Sequence, residues 1–170
     1  MNTTQMPMAY VFEDDGRIPN SKLPVLIYKN AFRQRGDAGA EWLEKQFASN
    51  NWTNSWRNGI YDYHHYHSTS HEVLGVYEGS ALLLLGGEQG KEIMVEAGDV
   101  IILPAGVGHK NLDNNNLSVV GAYAEGRKWD LNKGEAGERP AADENIAAVP
   151  LPSADPLHGP NGLPDLWLVS

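Results

Sequence analysis

Gly59-Ile60-Tyr61-Asp62-Tyr63-His64-His65-Tyr66-His67-Ser68-Thr69-Ser70-His71-Glu72-Val73-Leu74-Gly75-Val76-Tyr77-Glu78-Gly79 is the stretch on which the fold turns, because four of the chain's six histidines lie between His64 and His71. In a strand, residues i and i+2 project from the same face, so His65 and His67 can reach one ion while His64 and Tyr66 face the other way. Glu72 follows a polar Ser68-Thr69-Ser70 bend, where the chain can bring a carboxylate back beside the two imidazoles. His71 adjoins Glu72 and is expected on the opposite face, in an outer or solvent role, and His64 likewise.

On the C-terminal side the texture is that of short strands punctuated by glycine. Strands are expected near 60–67, 72–78, 80–85, 91–96, 99–103 and 117–124, with turns at Glu78-Gly79, Gly86-Gly87, Gln89-Gly90 and Ala97-Gly98-Asp99. Such spacing without intervening helix predicts antiparallel hairpins closed into a sandwich or barrel, and argues against a parallel α/β fold. His109 stands just after the apolar strand and the Pro104-Ala105-Gly106 turn, where a second strand can end beside the first. Three imidazoles and one carboxylate suit a borderline divalent metal. Tyr61, Tyr63 and Arg57 share parity with His65 and are candidates for the cavity wall: the hydroxyls to orient substrate or donate a proton, the guanidinium to anchor a carboxylate. The alternatives are plain packing for the tyrosines and, should the strand begin only at Gly59, a surface position for Arg57.

Before this core, Met8–Phe12 and 23–28 are β-branched and aromatic runs separated by turn formers. Trp42, Leu43 and Phe47 recur among good helix formers in 37–49 and predict one helix packed outside the sheet. After Glu125 the chain is polar, and six of the ten prolines lie between Pro140 and Pro164. A short helix is expected from Pro140 towards Ala148. Residues 150–168 read as an extended arm whose apolar end, Leu163, Leu166, Trp167 and Leu168, needs a surface, on its own barrel or a neighbouring subunit.

Composition excludes several classes. A net charge of −9 repels phosphate backbones and anionic membrane surfaces, so neither nucleic acid nor membrane is an expected partner. The chain has no cysteine, which removes disulfides, thiolate nucleophiles, Cys-ligated zinc and iron–sulfur clusters and leaves nitrogen and oxygen donors. Met1 to Phe12 lacks a basic stretch followed by an apolar run, and a cytoplasmic location is the default expectation. Without a secretion signal, the acceptor patterns Asn2-Thr3-Thr4 and Asn51-Trp52-Thr53 are read as chance. There is no Gly-x-Ser-x-Gly elbow, phosphate loop or dinucleotide fingerprint, and Gly86-Gly87-Glu88-Gln89-Gly90 sits where a hairpin turn is expected.

The full spacing, Gly59, five residues, His65, one, His67, four, Glu72, six, Gly79, resembles the first signature motif of the cupin superfamily at all five fixed positions. Gly98, five residues, Pro104, one, Gly106, two, His109 resembles the second motif, whose final Asn is here Asp113, with Asn111 close by. Together the motifs cover about a third of the chain. The run 65–76, with Asp15-Gly16 before Pro19-Asn20 and Asp155-Pro156-Leu157-His158-Gly159, is similar to the YjlB-like single-domain cupins. The resemblance implies an all-β cupin domain spanning 1–170, a double-stranded β-helix or jelly-roll barrel. Its core would be 55–125, its N-terminal strands and helix 8–50, and its C-terminal arm 126–170. It implies one divalent ion, Fe(II) or Mn(II) favoured and Ni(II) or Zn(II) compatible, held by His65, His67, Glu72 and His109. One or two coordination positions would stay open for a chelating small-molecule substrate. Three activities stay open: a dioxygenase-like oxidoreductase, a redox-inert isomerase or lyase, and a binding module without turnover. Pairing of sheet edges into a homodimer is implied too, with the terminal segments as candidate exchange arms.

Overall fold

The computed structural model describes residues 5–168, without the side chains of 114 and 115; the Asn2 acceptor pattern lies outside the described residues. The described elements are β1 (Met8–Phe12), β2 (Ser21–Tyr28), α1 (Gly36–Ser49), β3 (Trp52–Asn58), β4 (Glu72–Leu85), β5 (Lys91–Glu96), β6 (Val100–Leu103), β7 (His109–Ala124), α2 (Ala141–Ala148) and α3 (Leu163–Leu168). Every strand pairing is antiparallel, in the order β1-β2-β6-β4-β7-β3, with β5 also on β4. Alternating apolar and polar positions with glycine turns produced the antiparallel all-β fold expected of them.

The pair β4 and β7 organises the site. Glu72 at the start of β4 lies opposite Tyr123, and Leu85 at its end lies opposite His109. A flat strand of that length would span on the order of 40 Å, yet the side chains of Glu72 and His109 meet at 3.3 Å. The ladder must therefore bend back on itself. It does so at register shifts around Val76, Glu78 and Ser80, where Gly79 adopts φ +77°, a conformation cheap only without a Cβ. Two strands were expected here, 72–78 and 80–85, with Gly79 in a hairpin turn between them. The structure has one bent strand, because β7 pairs with it across the corner. On one side of the corner β4 pairs with β6 through 72–75, and on the other with β5 through 80–85. Bending the sheet in this way makes a barrel with an inside and an outside.

Strand parity sorts the two. Leu74, Val76, Leu83, Ile101, Leu103 and Val119 fill the interior. The alternate residues Val73, Ile102 and Val120 face outward under Leu43 and Phe47 of α1. Gly75 lies beneath the helix, where a Cβ would meet the Leu43 methyls at 2.6 Å, so its missing side chain sets how closely α1 can pack.

Two expectations at the edges are corrected. Residues 60–67 are not a ladder strand: only His65 and Tyr66 form isolated bridges, to His109 and Asn132. The strand lies earlier, at β3, paired with the C-terminal half of β7. The C-terminal arm is not extended throughout. It contains α2, as expected from Pro140, and then α3, and it covers its own barrel. Leu157, Leu163 and Trp167 join the outer core with Tyr28 and Trp52, and Trp167 Nε1–H donates to the Pro24 carbonyl at 3.0 Å. Asp113, the departure from the second motif, falls where β7 shifts register against Leu82 and Leu83, and its N–H donates to Asn111 Oδ1 at 3.1 Å. Among the described residues no helix is long and apolar enough to cross a membrane.

Candidate metal centre

Three imidazoles from two separated stretches meet inside the barrel. His65 and His109 are backbone bridge partners, their N–H groups donating to each other's carbonyls at 3.2 and 2.9 Å, which brings the ring centres to 4.0 Å. His67 sits 5.9 Å from His65 and 5.8 Å from His109, centre to centre. One ring nitrogen from each histidine lies within 4.8 Å of the others, a group that can hold a metal ion. Glu72 closes the cluster: Oε2 is 3.3 Å from His67 Nε2 and Oε1 is 3.3 Å from His109 Nε2. All four side chains are buried.

Backbone carbonyls decide which ring nitrogen is free. His65 Nδ1 is 3.1 Å from the Tyr63 carbonyl, His109 Nδ1 is 3.1 Å from that of Val107, and His67 Nδ1 is 2.5 Å from that of Asp130. A carbonyl can only accept, so each Nδ1 carries the hydrogen and each Nε2 offers a lone pair. Such an outer hydrogen bond is the device by which metal-binding histidines are oriented and made more basic. Burial, and next the neighbouring His109, push the His65 imidazole down to about 2, so this ring stays neutral. Burial also acts to lower His67, but the Glu72 carboxylate outweighs it and the net shift is upward. For Glu72 burial acts upward, and His67 and His109 more than reverse it, holding the carboxyl well below its usual range. A buried carboxylate facing the Nε2 atoms of two imidazoles is a donor set that a divalent ion would fit, its charge offsetting that of Glu72.

The cluster lies in a cavity of about 570 Å³ whose wall includes Trp56, Tyr61, Leu74, Tyr123 and Trp129. Tyr61 lies edge-on to His65 at 5.0 Å and stacks on Tyr63 at 4.9 Å. Tyr61 lines the cavity, whereas Tyr63 stands behind it with Lys133 Nζ 4.8 Å over its ring. Arg57 belongs to β3 and borders the cavity, but it is exposed, and its guanidinium is held by Glu44 of α1 at 2.7 and 3.0 Å. The expected buried guanidinium beside the ion is therefore not formed, because a carboxylate across the strand captures it. His64 faces away, towards Glu88 and the Gly87 N–H. His71 also points outward, but into the outer core and not to solvent. Its Nδ1 accepts from the Ala105 N–H at 2.9 Å, and its ring meets Trp167 edge-on at 4.9 Å.

Three contributors were not singled out from the sequence. Tyr123 faces Glu72 across the ladder, and its hydroxyl accepts from Trp56 Nε1–H at 2.9 Å. Burial, then the Glu72 charge, push this phenol up. Trp129 lies edge-on to His67 at 5.5 Å. Asp130 supplies the carbonyl under His67 and clamps Ser68 with both carboxylate oxygens. Tyr123 could have been found from its even spacing to His109 in one strand; Trp129 and Asp130 carry no local signal.

The comparisons agree with this picture at the level of family. No protein-family model matches the chain. The uncharacterized protein YjlB of Bacillus subtilis strain 168 is 40% identical over 162 residues, covering 94% of this chain and 95% of that one. Among solved structures, acireductone dioxygenase from Bacillus anthracis with a cadmium ion in its active centre is 16% identical. It covers 71% of this chain and 93% of its own, with a TM-score of 0.40. A Klebsiella pneumoniae protein with a double-stranded β-helix domain is 15% identical, covering 78% and 84%, with a TM-score of 0.36. At those scores nothing of either protein's activity is carried over. With both spaced motifs gathered in one bent antiparallel barrel and a relative matched nearly end to end, the chain belongs to the YjlB-like cupins.

Proposed function

We propose that the protein is a metal-dependent oxidoreductase of dioxygenase type, acting on a small organic substrate that chelates an ion held by His65, His67, Glu72 and His109. The observation that carries this reading is the set of three Nε2 lone pairs and one buried carboxylate converging at the floor of an open cavity. Bound there, an ion such as Fe(II) or Mn(II) supplies a Lewis acid with vacant positions and one-electron chemistry towards O₂. Everything else falls to the chain. The carbonyls of Tyr63, Val107 and Asp130 hold the imidazoles in one tautomer. Leu74, Trp56 and the cavity tyrosines restrict water around the substrate. The Tyr123 hydroxyl, its oxygen receiving the Trp56 N–H, keeps its own proton for the Glu72 side of the cavity. Tyr61, at the mouth, is placed to orient the substrate.

A binding module without turnover would be favoured by a cavity blocked by Tyr61, Tyr63 or the C-terminal arm. Tyr61 and, from the arm, Trp129 line the cavity but leave about 570 Å³ of it open, Tyr63 stands outside the lining, and the end of the arm packs on the outer core, so that blockage is not what supports a binding module. The test begins with elemental analysis of protein purified without chelators, for the parent and for His67→Ala. Anaerobic loading with Fe(II) followed by nitric oxide should then give the electron paramagnetic resonance signal of an open iron site. A spectroscopically silent sample defeats the oxidoreductase reading. Turnover with Zn(II) and no oxygen uptake would reassign the protein to the isomerase or lyase class.

A further inference from the structure

Trp129 is 41% exposed at the cavity that holds the histidine cluster, a large indole left facing water. It is nonetheless fixed. On one side the Lys128 carbonyl accepts from Thr69 Oγ1–H at 2.8 Å. On the other, Asp130 accepts from the Ser68 N–H at 2.6 Å and the Asn132 amide at 2.9 Å, while its carbonyl faces His67. The ring lies within 19° of parallel to Tyr123 at 6.1 Å, and Tyr61, 45% exposed, adds a second wet aromatic surface beside His65. A pinned indole with an uncovered face, one ring from a metal-ligand histidine, is preorganised to stack on something flat. Charge narrows the choice. A divalent ion with the Glu72 carboxylate leaves a single positive charge. Among the described lining residues the one permanent cation, Arg57, is already bonded to Glu44. Nothing in the wall compensates a second negative charge on a substrate.

We infer that the substrate is a flat aromatic chelator, neutral or singly charged, with two adjacent oxygen donors of the catechol type, stacked on Trp129 while its oxygens reach the ion. This rests on the metal-binding reading above. The experiment uses full-length protein loaded with Co(II), its cobalt content measured first, and titrated with 4-nitrocatechol and, separately, with acetohydroxamate, an aliphatic chelator of similar bite. Trp129→Ala is expected to weaken 4-nitrocatechol about fivefold to tenfold and to leave acetohydroxamate within a factor of about two, with Trp129→Phe restoring most of the loss. Should the alanine variant fail to fold, Trp129→Leu, which keeps apolar bulk without a π face, makes the same comparison. Equal losses for both chelators, or none for either, in protein with full cobalt content overturn the aromatic assignment alone. Protein that takes up no cobalt overturns the metal reading and this inference together.

Discussion

Two buried carboxylates, Glu72 inside the barrel and Asp155 outside it, are 2% and 0% exposed, yet their surroundings differ in kind. Asp155 is saturated by its own chain. Oδ2 accepts from the Tyr28 hydroxyl at 2.5 Å and the Leu163 N–H at 3.0 Å, and Oδ1 from the N–H groups of Leu157 and His158 at 2.7 and 3.1 Å. Glu72 instead faces two imidazole nitrogens whose hydrogens are committed on the far side of each ring. A carboxylate met by four donors has nothing left to bind and ties a strap down. One that faces ring nitrogens, as Glu72 does, keeps acceptor capacity that a cation could take up.

The contrast predicts opposite responses to mutation. Asp155→Asn places amide hydrogens against donors and should cost about 4 kcal/mol in urea unfolding, with no effect on the metal affinity of the folded fraction. Glu72→Gln in metal-free protein should shift stability by less than about 1 kcal/mol, because the neutral amide needs no charge partner and the His67 imidazole, raised by the Glu72 charge, can then stay neutral beside it. A large loss for Glu72→Gln would erase the distinction. His67→Ala should weaken metal binding by about 100-fold or more in chelator competition, and should lower the unfolding midpoint of metal-free protein as well, because Glu72 loses the partner that most offsets its burial.

A fourth expectation concerns alkali. Burial first, and the Asp155 charge next, push the Tyr28 phenol up, and Tyr66 and Tyr123 are pushed up as well, by burial foremost. The folded chain therefore keeps phenolic protons that the unfolded chain loses above its ordinary value of about 10. Stability should be flat below that pH and fall above it by about 1.4 kcal/mol per pH unit for each such tyrosine. Tyr28→Phe should remove one such share of the slope, measured by denaturation between pH 9 and 11. The smallest effect is expected at Tyr123→Phe, which frees Glu72 on one side and should lower metal affinity by about tenfold or less, accompanied by a shift in the visible bands of the Co(II) protein. An unchanged cobalt spectrum would remove Tyr123 from the positioning of Glu72.

Much of the centre was legible from local pattern. His65 and His67 share a face because the backbone there is extended, even though only isolated bridges hold it; Tyr66 duly points the other way, its hydroxyl donating to Glu138 at 2.9 Å. The helix around Leu43 and Phe47 was equally plain, since both apolar residues fall on one face. Arg57 shows the limit: parity placed it beside the cavity, but its partner Glu44 lies thirteen residues away on a helix, out of reach of any strand rule.

Residue order alone was enough for the antiparallel class, the spaced ligand candidates and the absence of thiolate donors, because side-chain alternation, turn chemistry and composition act over a few neighbouring positions. Only folding decided that Glu72 and His109, at opposite ends of a paired ladder, would touch, that Trp129 would stand uncovered beside His67, and that the C-terminal strap would close on Asp155. Those outcomes depend on a bend at Gly79 and on contacts across scores of residues, where the free energy of packing and of satisfying buried polar groups outweighs local preference.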